Sequence, residues 1–412
     1  MKKYLVIIAA AALIIAPVLL NAQSQRFISV KGKEVIGPDN KPFLMKGTNL
    51  GNWLIPEGYM FKFKSINSPK LINEAFMELM GPGNTKAFWT KYLDTYITRA
   101  DIHYLKSTGM NSIRIPFNYR LFTNEDYLGQ NNPNKGFELL DRVIGWCKQE
   151  GIYVILDMHC APGGQTGDNI DDGYGYPFLF QDKASRQLTI KIWTRIAAHY
   201  KNETAIIGYD LLNEPIAHYF NADELNPYLE PFYKELCKAI RVVDKNHIFI
   251  IGGPQWDSKL KVFGPPFDPK IIYTFHKYWT PVTQDVIQEY VDFSNKYNVP
   301  IYAGETGENK DEWILDFRKL LEKNNIGWHY WPYKKMDNTS GIMSFKMPVG
   351  YDKVIEYTEK PRSSFEEIRK AAPANRQQIK EAIYGILTSC RFENCGQNTG
   401  YIEALGLKAV KQ

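Results

Sequence analysis

Ile206-Ile-Gly-Tyr-Asp-Leu-Leu-Asn-Glu-Pro215 is a short apolar run that stops on polar residues, and the same pattern recurs down the chain. Apolar runs of strand length lie at residues 43–49, 112–117, 153–159, 206–213, 248–252, 271–276, 300–305 and 327–331. Amphipathic stretches of helical period fill the intervals. Residues 137–150 place apolar side chains three and four apart and stop at Gly151, and Asp311–Lys323 repeats the pattern with Asp311 as candidate N-cap. Strand and helix in alternation imply βαβ units and a parallel sheet, and eight strands are the number that closes a barrel. The expected fold is α/β, a (β/α)8 TIM barrel in one domain over residues 23–371. A C-terminal extension, residues 372–412, is expected to pack on it, with a helix near 377–387.

Hydrophobic residues at 44% and charged residues at 23% allow a large core and exclude global disorder. Aromatics stand at 14%, which serves a Tyr- and Phe-rich core or flat rings lining a sugar cleft. At the N-terminus Lys2 and Lys3 precede an apolar run that ends at Leu20-Asn-Ala22. This is the pattern of a secretory signal peptide, residues 1–22, cleaved after Ala22, and it implies a secreted or periplasmic protein. An uncleaved anchor is the alternative, though Pro17 interrupts the run. No stable membrane association is expected after cleavage. Removing the two lysines takes the net charge from +5 to +3, too little to argue for nucleic acid as a partner. Cys147, Cys160, Cys237, Cys390 and Cys395 match no zinc spacing. Cys147 and Cys237 read as buried small hydrophobes, while Cys390 and Cys395 are close enough in sequence for a short-loop disulfide. The protein is expected to be a monomer without cofactor or metal.

The chemistry lies in the residues that end the apolar runs. Arg114 sits in Ser112-Ile-Arg-Ile-Pro116, and Asp157 and His159 close Ile155-Leu-Asp-Met-His159. Asn213 and Glu214 follow the fourth run. His276 and Tyr278 lie in Phe275-His-Lys-Tyr-Trp279, Glu305 in Ala303-Gly-Glu-Thr306, and Trp331 in His329-Tyr-Trp-Pro332. Each has a bland reading: a structural ion pair for Arg114, satisfied core histidines, a turn at Asn213-Glu214-Pro215 because Pro215 bars Glu214 from the α region. Glu305 alone reads as a surface acid and Trp331 as core. Around a barrel, however, these ends converge on one cleft. Retaining glycoside hydrolysis needs two carboxyls about 5–5.5 Å apart, one nucleophile and one acid/base. Glu305 and Glu214 end the seventh and fourth strands and fit those roles. Arg114 and the Tyr278 hydroxyl are expected to stabilise charge on Glu305, whose field then raises the proton affinity of Glu214. A metal-dependent barrel hydrolase built on Asp157, His159 and His276 is the competing reading. It lacks the histidine pair at the end of the first strand, where Thr48-Asn49 stands, so its metal site is incomplete.

Over residues 43–331 these motifs resemble glycoside hydrolase family 5, the cellulase-type family. The resemblance implies Glu214 as acid/base in the Asn-Glu-Pro signature and Glu305 as nucleophile. It places Asn213 on the sugar 2-OH, Arg114 and Tyr278 beside the nucleophile, and His159, His276 and Trp331 around the sugar at the cleavage point. Asn49-Leu-Gly-Asn-Trp-Leu-Ile-Pro-Glu57 and His159-Cys-Ala-Pro-Gly-Gly-Gln165 are similar to the exo-β-1,3-glucanase branch, where the acid matching Glu57 grips the terminal sugar. Asn52, Pro56 and Cys160 depart from that branch, which leaves linkage specificity open. The substrates implied are β-linked oligo- or polysaccharides, β-glucans first, with mannan or glycolipid as alternatives. Loops 163–182 and 334–360 are expected to shape the cleft and decide between exo and endo action.

Overall fold

The computed structural model of the chain describes residues 26–410; the expected signal peptide lies outside the described residues. A hairpin of β1 (Ser29–Lys31) and β2 (Glu34–Ile36) comes first. Eight strands follow: β3 (Lys46–Asn49), β4 (Ser112–Asn118), β5 (Tyr153–Cys160), β6 (Ile206–Asp210), β7 (Ile248–Gly252), β8 (Ile271–Tyr278), β9 (Ile301–Gly307) and β10 (Gly327–Trp331). They pair in parallel and close a barrel in the order β10-β3-β4-β5-β6-β7-β8-β9. The (β/α)8 fold expected from the sequence is the fold observed. Two boundaries move: β6 stops at Asp210, short of Asn213, while β9 carries Glu305 inside the strand. Asp311 is the first residue of its helix and Lys310 the cap.

Side chains alternate across each strand with period two. On β4 and β5, Ile113, Ile115, Phe117, Val154, Leu156 and Met158 join the core between strands and helices. Arg114, Asp157 and His159 therefore fall on the other face, inside the barrel. The bottom of that interior is apolar: Ile155, Ile207, Ile250, Ile272 and Tyr302 pack with Ile28 and Val35 of the hairpin segment. Apolar below and polar above, the barrel gathers its ionisable groups at one mouth.

The segment expected as a long loop over 334–360 is folded. It holds β11 (Lys334–Met336), β12 (Met343–Phe345) and the helix Asp352–Thr358. β12 also pairs with β13 (Gly396–Gln397) from the C-terminal extension. Buried Lys334 ties this sheet down, its ammonium 2.8 Å from Asp101 and 2.9 Å from the Cys390 carbonyl. The extension is thus interwoven with the chain after β10, and its helix Arg376–Ser389 packs on Pro69–Met80 and Pro82–Thr95. The short-loop disulfide is absent: Cys390 and Cys395 are free and buried, as are the other three cysteines. The Cys395 thiol instead faces the Arg391 carbonyl at 3.2 Å, just past the end of the helix Arg376–Ser389.

Candidate active site

Arg114 is the centre of the mouth. It is fully buried and reaches Glu305 Oε1 at 2.6 Å, Asp210 Oδ2 at 2.8 Å and Asp157 Oδ2 at 3.1 Å. It also donates to Asn213 Oδ1 at 2.8 Å and Asn49 Oδ1 at 3.1 Å. A buried guanidinium requires such pairing, but three acids share one cation. Burial consequently pushes the Asp157 and Asp210 carboxyls up to about 7 although Arg114 pulls both down. Glu305 accepts on both oxygens, from Arg114 and from the Tyr278 hydroxyl at 2.9 Å. That is the bonding pattern of an ionised carboxylate.

Glu214 lies opposite. It takes φ 44°, outside the right-handed region that Pro215 forbids. Its N–H donates to Asp257 Oδ2 at 3.0 Å, and its carbonyl accepts from Thr166 Oγ1 at 2.8 Å. Its Oε1 is 2.8 Å from His276 Nδ1. Burial pushes the Glu214 carboxyl up to about 7 against the pull of His159 and Arg114. The leading cause is therefore desolvation. The field of Glu305, expected to raise the proton affinity of Glu214, is not among its main causes. One carboxyl atom each of Glu214 and Glu305, with one His276 nitrogen, lie within 4.8 Å of one another.

The remaining expected residues surround this pair. His159 Nδ1 is 2.8 Å from Asp157 Oδ2, and its ring stacks on Trp331 with centroids 5.6 Å apart. Asn213 Nδ2 is 3.4 Å from His159 Nε2. Gly51 leaves room for Trp331, since a Cβ there would stand 2.8 Å from the indole. Glu57 is buried with Oε1 unbonded, its N–H donating to Asn52 Oδ1 at 3.2 Å. Burial first, then the charges of Glu305, Glu308 and Glu214, hold the Glu57 carboxyl well above the usual range.

The cleft, about 430 Å³, has two unlike sides. The chain after β3, β9 and β10 forms a polar wall: Trp331 Nε1 donates to the Tyr59 hydroxyl at 2.7 Å, and Lys335 pairs with Glu308 beside Glu57. The chain after β6, β7 and β8 offers rings. Trp279 is 70% exposed, and Trp256 Nε1 donates to His218 Nδ1 at 2.8 Å. Sequence reasoning assigned no role to Tyr59, Asp210, Trp256, Asp257, Trp279 or Glu308. Asp210 was legible as an acid ending an inward strand. Trp256 and Asp257 were not, because they depend on three successive left-handed residues, Gln255, Trp256 and Asp257 at φ 55°, 62° and 53°.

Asp157, His159 and His276 do not form the competing metal site. Asp157 Oδ2 is engaged by His159 and by the Arg114 guanidinium, whose positive charge opposes a cation there. The tighter group, Glu214, His276 and Glu305, has its Glu305 oxygens taken by Arg114 and Tyr278.

The sequence profile described as Cellulase (glycosyl hydrolase family 5) matches residues 74–337. A Beta-xylosidase of Phanerodontia chrysosporium is 33% identical over 243 residues, 58% of this chain and 48% of that protein. Endoglucanase C of Acetivibrio thermocellus is 27% identical over 314 residues, 61% of this chain and 88% of that one. A Glucan 1,3-beta-glucosidase of Candida oleophila is 30% identical over 243 residues, 53% of this chain and 55% of that one. The chain thus spans about half the length of two of these three relatives.

Proposed function

The chain belongs to glycosyl hydrolase family 5, and from that premise we propose that it hydrolyses β-glycosidic bonds with retention, Glu305 as nucleophile and Glu214 as acid/base. The observation that carries this reading is the approach of the two carboxyls within 4.8 Å, one in a carboxylate's bonding pattern and the other with its proton affinity raised to about 7. An inverting pair would stand about 6.5–9.5 Å apart to admit a water. Glu305 attacks the anomeric carbon while Glu214 gives its proton to the leaving oxygen. Once Glu305 is esterified its negative charge is gone, and with it one of the charges that favour a proton on Glu214. Glu214, now a carboxylate, takes a proton from the attacking water, which displaces Glu305 from the anomeric carbon. Proton NMR of the first product from an aryl β-glycoside tests this: the β-anomer is expected, and initial α-anomer overturns it.

The pH profile follows from the same residue. Glu214 must enter the reaction protonated, so kcat/KM is expected to fall as pH rises through about 7. A kcat/KM flat to pH 9 on a substrate with a poor leaving group would remove Glu214 from the acid role.

For substrate, the proposal is β-1,3- or mixed-linked gluco-oligosaccharides cleaved from an end. The polar wall of Glu57, Tyr59, Glu308 and Lys335 offers donors and acceptors to the hydroxyls of a terminal sugar. The rings of Trp256 and Trp279 offer flat apolar faces to the sugars beyond the cut. On a panel of β-1,3-, β-1,4- and mixed-linked glucans and mannans, release of single monosaccharides is expected. Longer mixed products would favour endo action, the reading that the endoglucanase relative supports. The N-terminal pattern further supports export, so that a monomer without resident cofactor meets its glycan in the periplasm or outside the cell.

A further inference from the structure

The ladder between β5 and β6 runs only to Asp157 and Asp210, so Asn213 and Glu214 lie beyond its end. Past that point the loop after β5 holds the chain. Gln165, with no exposure to solvent, reaches across the gap with its amide. Its Nε2 donates to the His159 carbonyl at 2.7 Å and to the Asn213 carbonyl at 2.8 Å, and its Oε1 accepts the Ala161 N–H at 2.9 Å. Two carbonyls on one side and an N–H on the other leave the amide a single orientation. The main-chain carbonyls of Gln165 and Thr166 then accept the N–H groups of Ile216 and Ala217 at 2.8 and 2.9 Å. Gln165 stands in for a ladder where the two strands part.

The consequence falls on Glu214. A φ of 44° is rare for a residue with a Cβ, and such strain persists where the surroundings over-determine it. Because each peptide unit is planar, the backbone angles of Glu214 are set by the two planes that flank it. The plane before it is held at both ends, the Asn213 carbonyl by Gln165 and the Glu214 N–H by Asp257 Oδ2 at 3.0 Å. The plane after it has no N–H, because the next residue is Pro215. Its carbonyl is the one polar handle there, and Thr166 Oγ1 donates to it at 2.8 Å. The loop is itself braced: Asp171 Oδ2 accepts the Thr166 and Gly167 N–H groups at 2.9 and 2.6 Å, and Oδ1 accepts that of Gly173 at 2.8 Å. Gly164 admits this acid, since a Cβ there would stand 2.7 Å from Asp171 Oδ2.

We propose that Gln165 and Thr166 are positioning residues that set the two peptide planes around Glu214 and so aim its carboxyl at the leaving oxygen. The proposal rests on the acid/base reading of Glu214. Both side chains are closed to solvent, and hence to substrate, so they act through Glu214. A proton donor must lie within hydrogen-bond reach of the atom it protonates, and a misplacement of about 1 Å can cost roughly a hundredfold in rate. Glu305 is carried by β9 and takes no bond from either residue, so the nucleophile stays in place when they change.

Gln165→Glu is the test. A carboxyl of nearly the same shape still accepts the Ala161 N–H but has at most one hydrogen to give, so one of the two carbonyls is released. On aryl β-glycosides with poor leaving groups, kcat/KM is expected to fall by about tenfold or more, and with strongly acidic leaving groups by less than about threefold, since these need little protonation. On the latter kcat also falls, because the glycosyl-enzyme waits on Glu214 as base, and azide restores it. The anion attacks the anomeric carbon without a base, Glu305 leaves as carboxylate, and the β-glycosyl azide forms. An equal loss on every substrate without an azide effect marks a merely structural role and overturns the proposal, as does unchanged activity. Should Gln165→Glu not fold, Thr166→Val decides by the same readouts, since it keeps the shape and frees the Glu214 carbonyl alone. Glu214→Ala, measured beside them, separates the two claims. If it lacks the leaving-group dependence and the azide effect, the acid/base reading fails; if it has them and the loop variants do not, the positioning proposal fails.

Discussion

Glu305→Gln is expected to lose about four to six orders of magnitude in kcat, the scale seen when a nucleophile that acts as one unit with its partners is removed. The amide is isosteric but cannot form the glycosyl ester. The fold should survive, since Asp157 and Asp210 still neutralise Arg114 at 3.1 and 2.8 Å. Glu305→Gly with azide carries the same claim further. The small anion enters the emptied space, attacks the anomeric carbon from the nucleophile's side and yields the α-glycosyl azide, of inverted configuration. Residual activity of the glutamine variant above a tenth of wild type would take the nucleophile's role away from Glu305.

The second large effect is on stability. Arg114→Ala is expected to cost about 3–5 kcal/mol, as removal of one partner from a buried ion cluster does. That is a large share of the roughly 5–15 kcal/mol that holds a domain folded. The loss follows from the ring of acids left behind. Asp157 and Asp210 are fully buried, and they are already pushed up to about 7 with the guanidinium present. Carboxyls whose folded proton affinity exceeds the unfolded one bind more protons in the folded state. Their contribution to stability is thus present below about pH 4 and is lost as pH rises through about 7. Without Arg114 the folded values rise further, so the variant's stability should fall more steeply between pH 4 and 8 than the wild type's. Denaturant titration at several pH values measures both quantities. A loss below 1 kcal/mol with parallel pH profiles would show that the guanidinium is not what holds these acids.

The alternation of Ile113-Arg114-Ile115 and Leu156-Asp157-Met158-His159 already assigned each residue to a face, because a strand has period two whatever it pairs with. Eight such strands with helices between them leave a barrel as the closed solution, so the architecture and the convergence of Arg114, His159, Glu214, His276, Glu305 and Trp331 were legible. Helix and strand ends were less so. Asn213 and Glu214 follow β6 by three and four residues instead of ending it. The 334–360 segment read as loop because β11 and β12 are three residues each, and the sheet they form is completed only by β13, some fifty residues later. Cys390 and Cys395 are near enough in sequence to pair, whereas the thiol of Cys395 is turned toward the main-chain carbonyls of residues 389–391.

By itself the sequence determined which residues face inward and which chemistry they are equipped for, since both depend on local period and side-chain type. Tertiary structure alone decided the 4.8 Å approach of the two carboxyls, the sharing of Arg114 among three acids, and the arrival of Asp257 beneath Glu214. The reason is physical. Proton affinities and ion pairing depend on burial and on distances between residues far apart in the chain, and a left-handed turn in non-glycine residues forms only where the surrounding barrel holds it.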